Sequence, residues 1–127
     1  MKRTTLKRGK PLRRKTWLRS RGDTKYRRRP RDLAYMAWVR TQPCCAKPFG
    51  RCYGRVEADH AGTRGYGEKA DDNTCIPLCG KHHTQRGSFS GPFRPWDQAR
   101  MRGWLALMVA EHQDRHRIHL ASKAATP

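Results

Sequence analysis

Acidic residues are scarce in this chain: ten Asp and Glu stand against 29 Lys and Arg, a formal net charge of +19 over 127 residues. So lopsided a surface repels basic partners and attracts polyanions, nucleic acid first among them. Hydrophobic residues are few as well, at 35%, below the norm of ordinary globular domains, so part of the chain contributes nothing to a core. No apolar run approaches ~18 residues, which excludes a transmembrane helix, and no membrane partner is expected. The basic start lacks the apolar stretch of a secretory signal, so a cytoplasmic protein is expected. An even cysteine count is also missing. Five cysteines without an export signal argue against a disulfide framework and for thiolates held by metal in a reducing compartment.

The length allows one small domain with a modest core. Residues 1–32 hold fifteen Lys/Arg and two Asp, a net +13 that leaves +6 for the rest. In residues 1–29, Leu6, Leu12, Trp17 and Leu18 are too sparse to form an apolar face, and Gly9, Pro11 and Gly22 interrupt the segment. It reads as a disordered basic arm. Lys7, Arg8, Arg13, Arg14, Lys15, Arg27, Arg28 and Arg29 can neutralise phosphates, and Trp17 and Tyr26 can stack on bases. A targeting or ribosomal-type tail has the same composition. Residues 30–122 form the expected domain.

Pro30 and Asp32 begin a helix that stops before Pro43, with Leu33, Met36, Ala37 and Arg40 on one face and Tyr35, Trp38 and Val39 widening it. Val56 to Ala61 and Cys75 to Leu78 read as paired strands around a loop rich in Gly and Asp. A helix follows from Cys79 to Gly87. Phe89, Phe93 and Trp96 should cover the core. A long helix is expected over about 95–120, with Met101, Trp104, Leu105, Met108 and His112 on one face and His116 and His119 at exposed or half-buried polar positions.

All five cysteines fall between residues 44 and 79. Cys79-Gly-Lys-His82 places a thiol and an imidazole three apart at a helix start, within reach of one ion. Cys45 and Cys52, separated by a turn with Pro48 and Gly50, complete a Cys₃His set for structural zinc. Cys44 is the alternative to Cys45. Cys75 reads as a buried strand residue.

The same stretch carries a second constellation. Hydrolysis of a phosphodiester needs a nucleophile, relief of charge on the phosphoryl oxygens and help for the leaving oxygen. A divalent ion can supply the last two, and a neutral imidazole can take the proton from water. Asp59 at the strand end and His83 on the facing helix suit an incompletely filled ion, and His60 suits the base. A strand-end twist would bring Asp59 and His60 to one site, although neighbours on a strand normally face opposite ways.

The "DH" on a strand followed by "PLC..HH" opening a helix resembles the HNH endonuclease family, especially its phage-associated members, over Cys44 to about Arg86. The resemblance implies an α+β fold with a small ββα-metal, treble-clef-like core flanked by helices. It implies His60 as general base, Asp59 and His83 as ligands of Mg²⁺ or Mn²⁺, and His82 with the cysteines on structural zinc. The family's middle asparagine falls on Thr74, with Asn73 one residue earlier, so either fills the orienting role. Arg86 stands where relatives carry another histidine and could contact phosphate.

The expected function is metal-dependent endonuclease cleavage of DNA, bound through phosphates as duplex with low sequence specificity. The resemblance sets it in a bacterium or a phage-infected host cell. The alternative is a non-catalytic, zinc-stabilised DNA- or RNA-binding protein.

Overall fold

The computed structural model describes residues 31–62 and 70–127. The proposed basic arm and the Gly-rich tip of the long loop lie outside the described residues, and with them every arm residue named above.

The first helix, α1, spans Leu33–Thr41. Asp32 caps it, its Oδ1 accepting from the Tyr35 N–H at 2.9 Å, which satisfies one of the donors a helix start leaves unpaired. Gln42 turns extended ahead of Pro43 and ends it, as residues before proline tend to do. The buried residues are Tyr35 and Val39, while Leu33 is 62% exposed. The expected face of Leu33, Met36, Ala37 and Arg40 is therefore corrected by a rotation. Two hydrogen bonds set it: Tyr35 donates its hydroxyl to the Cys75 carbonyl at 3.1 Å, and the Asp32 N–H donates to Asp72 at 3.0 Å.

The strands are β1, Val56–His60, and β2, Cys75–Cys79. They pair antiparallel with Val56 opposite Cys79 and His60 opposite Cys75. All of β2 is buried, and β1 only partly. Between them a 3-10 turn over Asp72–Thr74 leads the chain into β2. The helix α2, Gly80–Ser88, leaves β2 directly. The order strand, loop, strand, helix agrees with the sequence reading.

The last helix, α3, runs over Gln98–Ala125. It starts later than Pro95 because the Asp97 side chain caps it, accepting from the Arg100 N–H at 2.7 Å. It continues past Leu120 through residues with good helix propensity, among them Ala121, Lys123 and Ala124. Its buried residues are Met101, Leu105 and His112, of which Met101 and Leu105 pack in one cluster with Ile76 and Leu78 of β2.

One core cluster joins Ile76 and Leu78 to Phe93, Trp96, Met101 and Leu105. Phe93 is fully buried, with ring centroids of Phe49, Trp96 and Trp104 at 5.9, 5.0 and 5.6 Å. Replacing it with Ala would cost about 3–5 kcal/mol. A smaller cluster of Tyr35, Val39 and Cys75 seats α1 on the sheet. His116 and His119 are half-buried, within the expected range, because the His116 ring lies 4.9 Å from Tyr35 and 4.8 Å from Trp38 and His119 lies 6.0 Å from Trp38. Among the described residues no helix is long and apolar enough to cross a membrane.

Candidate metal centre and adjoining histidine site

The Sγ atoms of Cys44, Cys52 and Cys79 and a ring nitrogen of His82 all lie within 4.8 Å of one another. His82 Nδ1 is 3.4, 3.7 and 3.2 Å from the three sulfurs in that order. Zinc bonds of ~2.3 Å to sulfur and ~2.0 Å to nitrogen give a tetrahedral S–N edge of ~3.5 Å, so these residues could hold a structural metal such as zinc.

The local chain explains the convergence. Cys79 is the N-cap of α2 and accepts from the His82 N–H at 3.5 Å. Burial pushes its thiol up, but hydrogen bonds from the His82 and Tyr53 backbone and from the Cys44 and Cys52 side chains together hold it below its ordinary value. Burial also lowers the His82 pKa. A thiolate and a neutral imidazole are the forms that ligate metal. Cys52 is instead pushed up to about 11, by burial and then by Cys44 and Cys79. Clustered thiols resist a second negative charge unless a cation joins them.

Cys45 is corrected out of the set. Its N–H donates to the Pro77 carbonyl at 2.9 Å, which fixes the chain along β2 and leaves Cys44 as the residue aimed at His82. Burial and the neighbouring Cys44 push the Cys45 thiol up to about 12, the behaviour of an inert buried thiol.

The second constellation straddles β1. Strand alternation puts Glu57 and Asp59 on the side facing α2. His83 bridges them, with Nδ1 2.6 Å from Glu57 Oε2 and Nε2 3.3 Å from Asp59 Oδ1. Arg86, one turn on, places Nη2 2.8 Å from Asp59 Oδ1 and Nε 2.5 Å from Oδ2. The latter approach makes an ion pair without hydrogen-bond alignment, so Oδ2 of this 4% exposed residue has no hydrogen-bond partner. A buried carboxylate with one oxygen beside an imidazole nitrogen and the other without a hydrogen bond is a donor set that fits a hard divalent cation.

His60 turns the other way. Its Nε2 lies 2.8 Å from Oδ1 of Asp72, whose side chain is 1% exposed. The expected strand-end twist therefore does not lay His60 against Asp59; the two face opposite sides of β1. An open groove of about 800 Å³ is lined by His60, Thr74 and Arg86 and walled by Arg102, Leu105 and Val109 of α3; Arg86, which pairs with Asp59, is its link to the other side of β1.

Of the two candidates for the orienting position, Thr74 makes the contacts. Its carbonyl accepts from the Ala61 N–H at 3.2 Å, and its Oγ1 accepts from the Gly62 N–H at 3.2 Å. A Cβ on Gly62 would fall 2.6 Å from Thr74 Oγ1, so this close approach needs glycine. Asn73 offers only its carbonyl, to Gln113 Nε2 at 2.9 Å, and its residue is exposed. The sequence reading missed Glu57 and Asp72. For Glu57 the signal was available, two residues before Asp59 on a strand. For Asp72, twelve residues from His60, no local signal existed.

Compared with known protein families, curated proteins and solved structures, the chain matches none.

Proposed function

We propose that this chain is a metal-dependent endonuclease of the HNH type, hydrolysing DNA phosphodiester bonds. The observation that carries the reading is the meeting of Asp59 and His83, from strand and helix, at 3.3 Å. A carboxylate and an imidazole from different elements supply only part of a coordination sphere, which leaves room for water and phosphate.

In this reading the Asp59 carboxylate and His83 Nε2 would hold Mg²⁺ or Mn²⁺. The ion, when bound, supplies charge relief for the phosphoryl and leaving oxygens. His60, at the groove, takes the proton from the attacking water. Arg86 and Arg102 line the same groove and offer guanidinium groups to phosphate oxygens. Glu57 holds the His83 ring by its Nδ1, directing Nε2 at Asp59. The Cys₃His cluster ties the turn around Cys44 and Cys52 to the start of α2, and so fixes the helix that presents His83.

One observation favours a second reading, a zinc-stabilised nucleic-acid-binding protein without catalysis: Arg86 already neutralises Asp59. Plasmid cleavage with and without divalent ion separates the two. The nuclease reading expects metal-dependent cleavage in the wild type and its loss in His60→Ala with DNA binding retained. Equal nicking by both proteins, or binding with no cleavage in either, favours the second.

A further inference from the structure

Building on the nuclease reading, we infer that Asp72 is the positioning residue of the general base: it fixes His60 as the tautomer with hydrogen on Nε2, leaving the Nδ1 lone pair for water. The contact is His60 Nε2 to Asp72 Oδ1 at 2.8 Å. An ionised carboxylate only accepts, so the ring nitrogen facing it must carry the hydrogen. Among the described residues no hydrogen bond reaches His60 Nδ1, and the side chain is 21% exposed at the groove edge.

Asp72 is itself held. Its Oδ2 accepts from the Asp32 N–H at 3.0 Å and lies 3.5 Å from Arg31 Nε. A buried carboxylate anchored on one oxygen by a helix start and a guanidinium has little freedom to rotate away from His60 on the other. The arrangement orients an imidazole as the carboxylate of a hydrolase triad does, with Asp72 touching neither water nor phosphate.

Asp72→Asn tests the claim because the surroundings dictate how an amide must sit. The Asp32 N–H donates to Oδ2 and the Arg31 guanidinium pairs with that oxygen, so the amide oxygen must face them. The NH₂ group then faces His60 Nε2, which must become the acceptor and pass its hydrogen to Nδ1. The lone pair needed for water is lost without a change of side-chain volume.

The experiment uses the full chain with zinc, labelled with ¹⁵N-histidine, at a pH where the ring is neutral. Imidazole ¹⁵N shifts should report the Nε2–H tautomer in the wild type and the Nδ1–H tautomer in Asp72→Asn. Plasmid cleavage by the variant should fall at least about 10²-fold in kcat, with the dissociation constant for DNA unchanged. An Nδ1–H tautomer in the wild type overturns the inference, and this arm stands even if the variant fails to fold. The same tautomer in both proteins also overturns it, as does Asp72→Asn cleaving like the wild type while His60→Ala is dead. A wild type that does not cleave, or His60→Ala that cleaves equally, instead removes the nuclease reading and Asp72's role with it.

Discussion

His83 faces two carboxylates at once: Nδ1 meets Glu57 at 2.6 Å and Nε2 meets Asp59 at 3.3 Å. A neutral ring has one hydrogen to give. If Nδ1–H donates to Glu57, the Nε2 lone pair stands against a carboxylate oxygen, two acceptors without a donor between them. A proton on Nε2 or a cation between the two resolves the conflict. Under the nuclease reading a cation does so, and Mn²⁺ titration followed by electron paramagnetic resonance should show one site, lost in Asp59→Ala. Glu57→Gln, which weakens the hold on the ring, should bind about 10–100-fold more weakly. Equal affinity in all three proteins would remove the site.

The Cys₃His cluster makes a sharp distinction between adjacent residues. Cys44→Ser should lose the zinc and the cooperative unfolding transition, since binding of a structural zinc contributes on the order of 10 kcal/mol to folding. Cys45→Ser should keep one zinc per chain and a normal melt. Zinc content by elemental analysis checks both, and the reverse pattern would restore Cys45 as the ligand.

That choice between Cys44 and Cys45 shows where sequence reasoning ran out. Elements with local signals were legible: Asp32 at the start of α1, the strand that carries Asp59, the Cys79/His82 pair at a helix start. What depends on strand register or on a turn was not. Which of two neighbouring thiols points inward is decided by the Cys45 N–H reaching Pro77. The rotation of α1 is decided by Tyr35 reaching Cys75 and by Asp32 reaching Asp72, hydrogen bonds spanning forty residues. Asp72 meets His60 only after the long loop has closed. Periodicity records which residues share a face; it does not record which partner a buried polar atom finds across the sheet.

Under the nuclease reading the segment before α1 works through charge. Residues 1–29 carry fourteen Lys/Arg and one Asp. Deleting them should weaken DNA binding and flatten the plot of log affinity against log salt, by roughly 0.9 for each phosphate that is no longer neutralised. Fluorescence anisotropy at several salt concentrations measures the slope. An unchanged slope would assign DNA binding to the domain alone.

His112 supplies a pH dependence away from both sites. It is 2% exposed, and its Nδ1 lies 2.8 Å from the Met108 carbonyl. Burial, with Arg115 adding to it, holds its pKa below the ordinary 6.5 despite that bond. The unfolded chain thus takes up a proton that the folded chain resists. Stability from this residue is present above about pH 6.5 and is lost as pH falls towards the folded value. His112→Leu should flatten the thermal-stability profile between about pH 7 and 5 relative to the wild type, whose zinc site is the same. Parallel profiles would show that His112 is protonated equally in both states.

Arg86 makes the most discriminating test of how Asp59 is used. Its guanidinium already balances the carboxylate, with Nε 2.5 Å from Oδ2, and the arginine side chain is only 17% exposed. A divalent ion at Asp59 must share that charge with Arg86 or displace it. Removing the guanidinium leaves a buried carboxylate with a stronger demand for a cation. Arg86→Ala should therefore bind Mn²⁺ more tightly, by about tenfold or roughly 1.4 kcal/mol. Under the nuclease reading the same variant no longer grips phosphate in the groove, so cleavage falls while ion affinity rises. That divergence is the signature of a residue that competes with the ion and serves the substrate. Ion binding that weakens in Arg86→Ala would instead make the arginine a support for the carboxylate, with Asp59 held for structure.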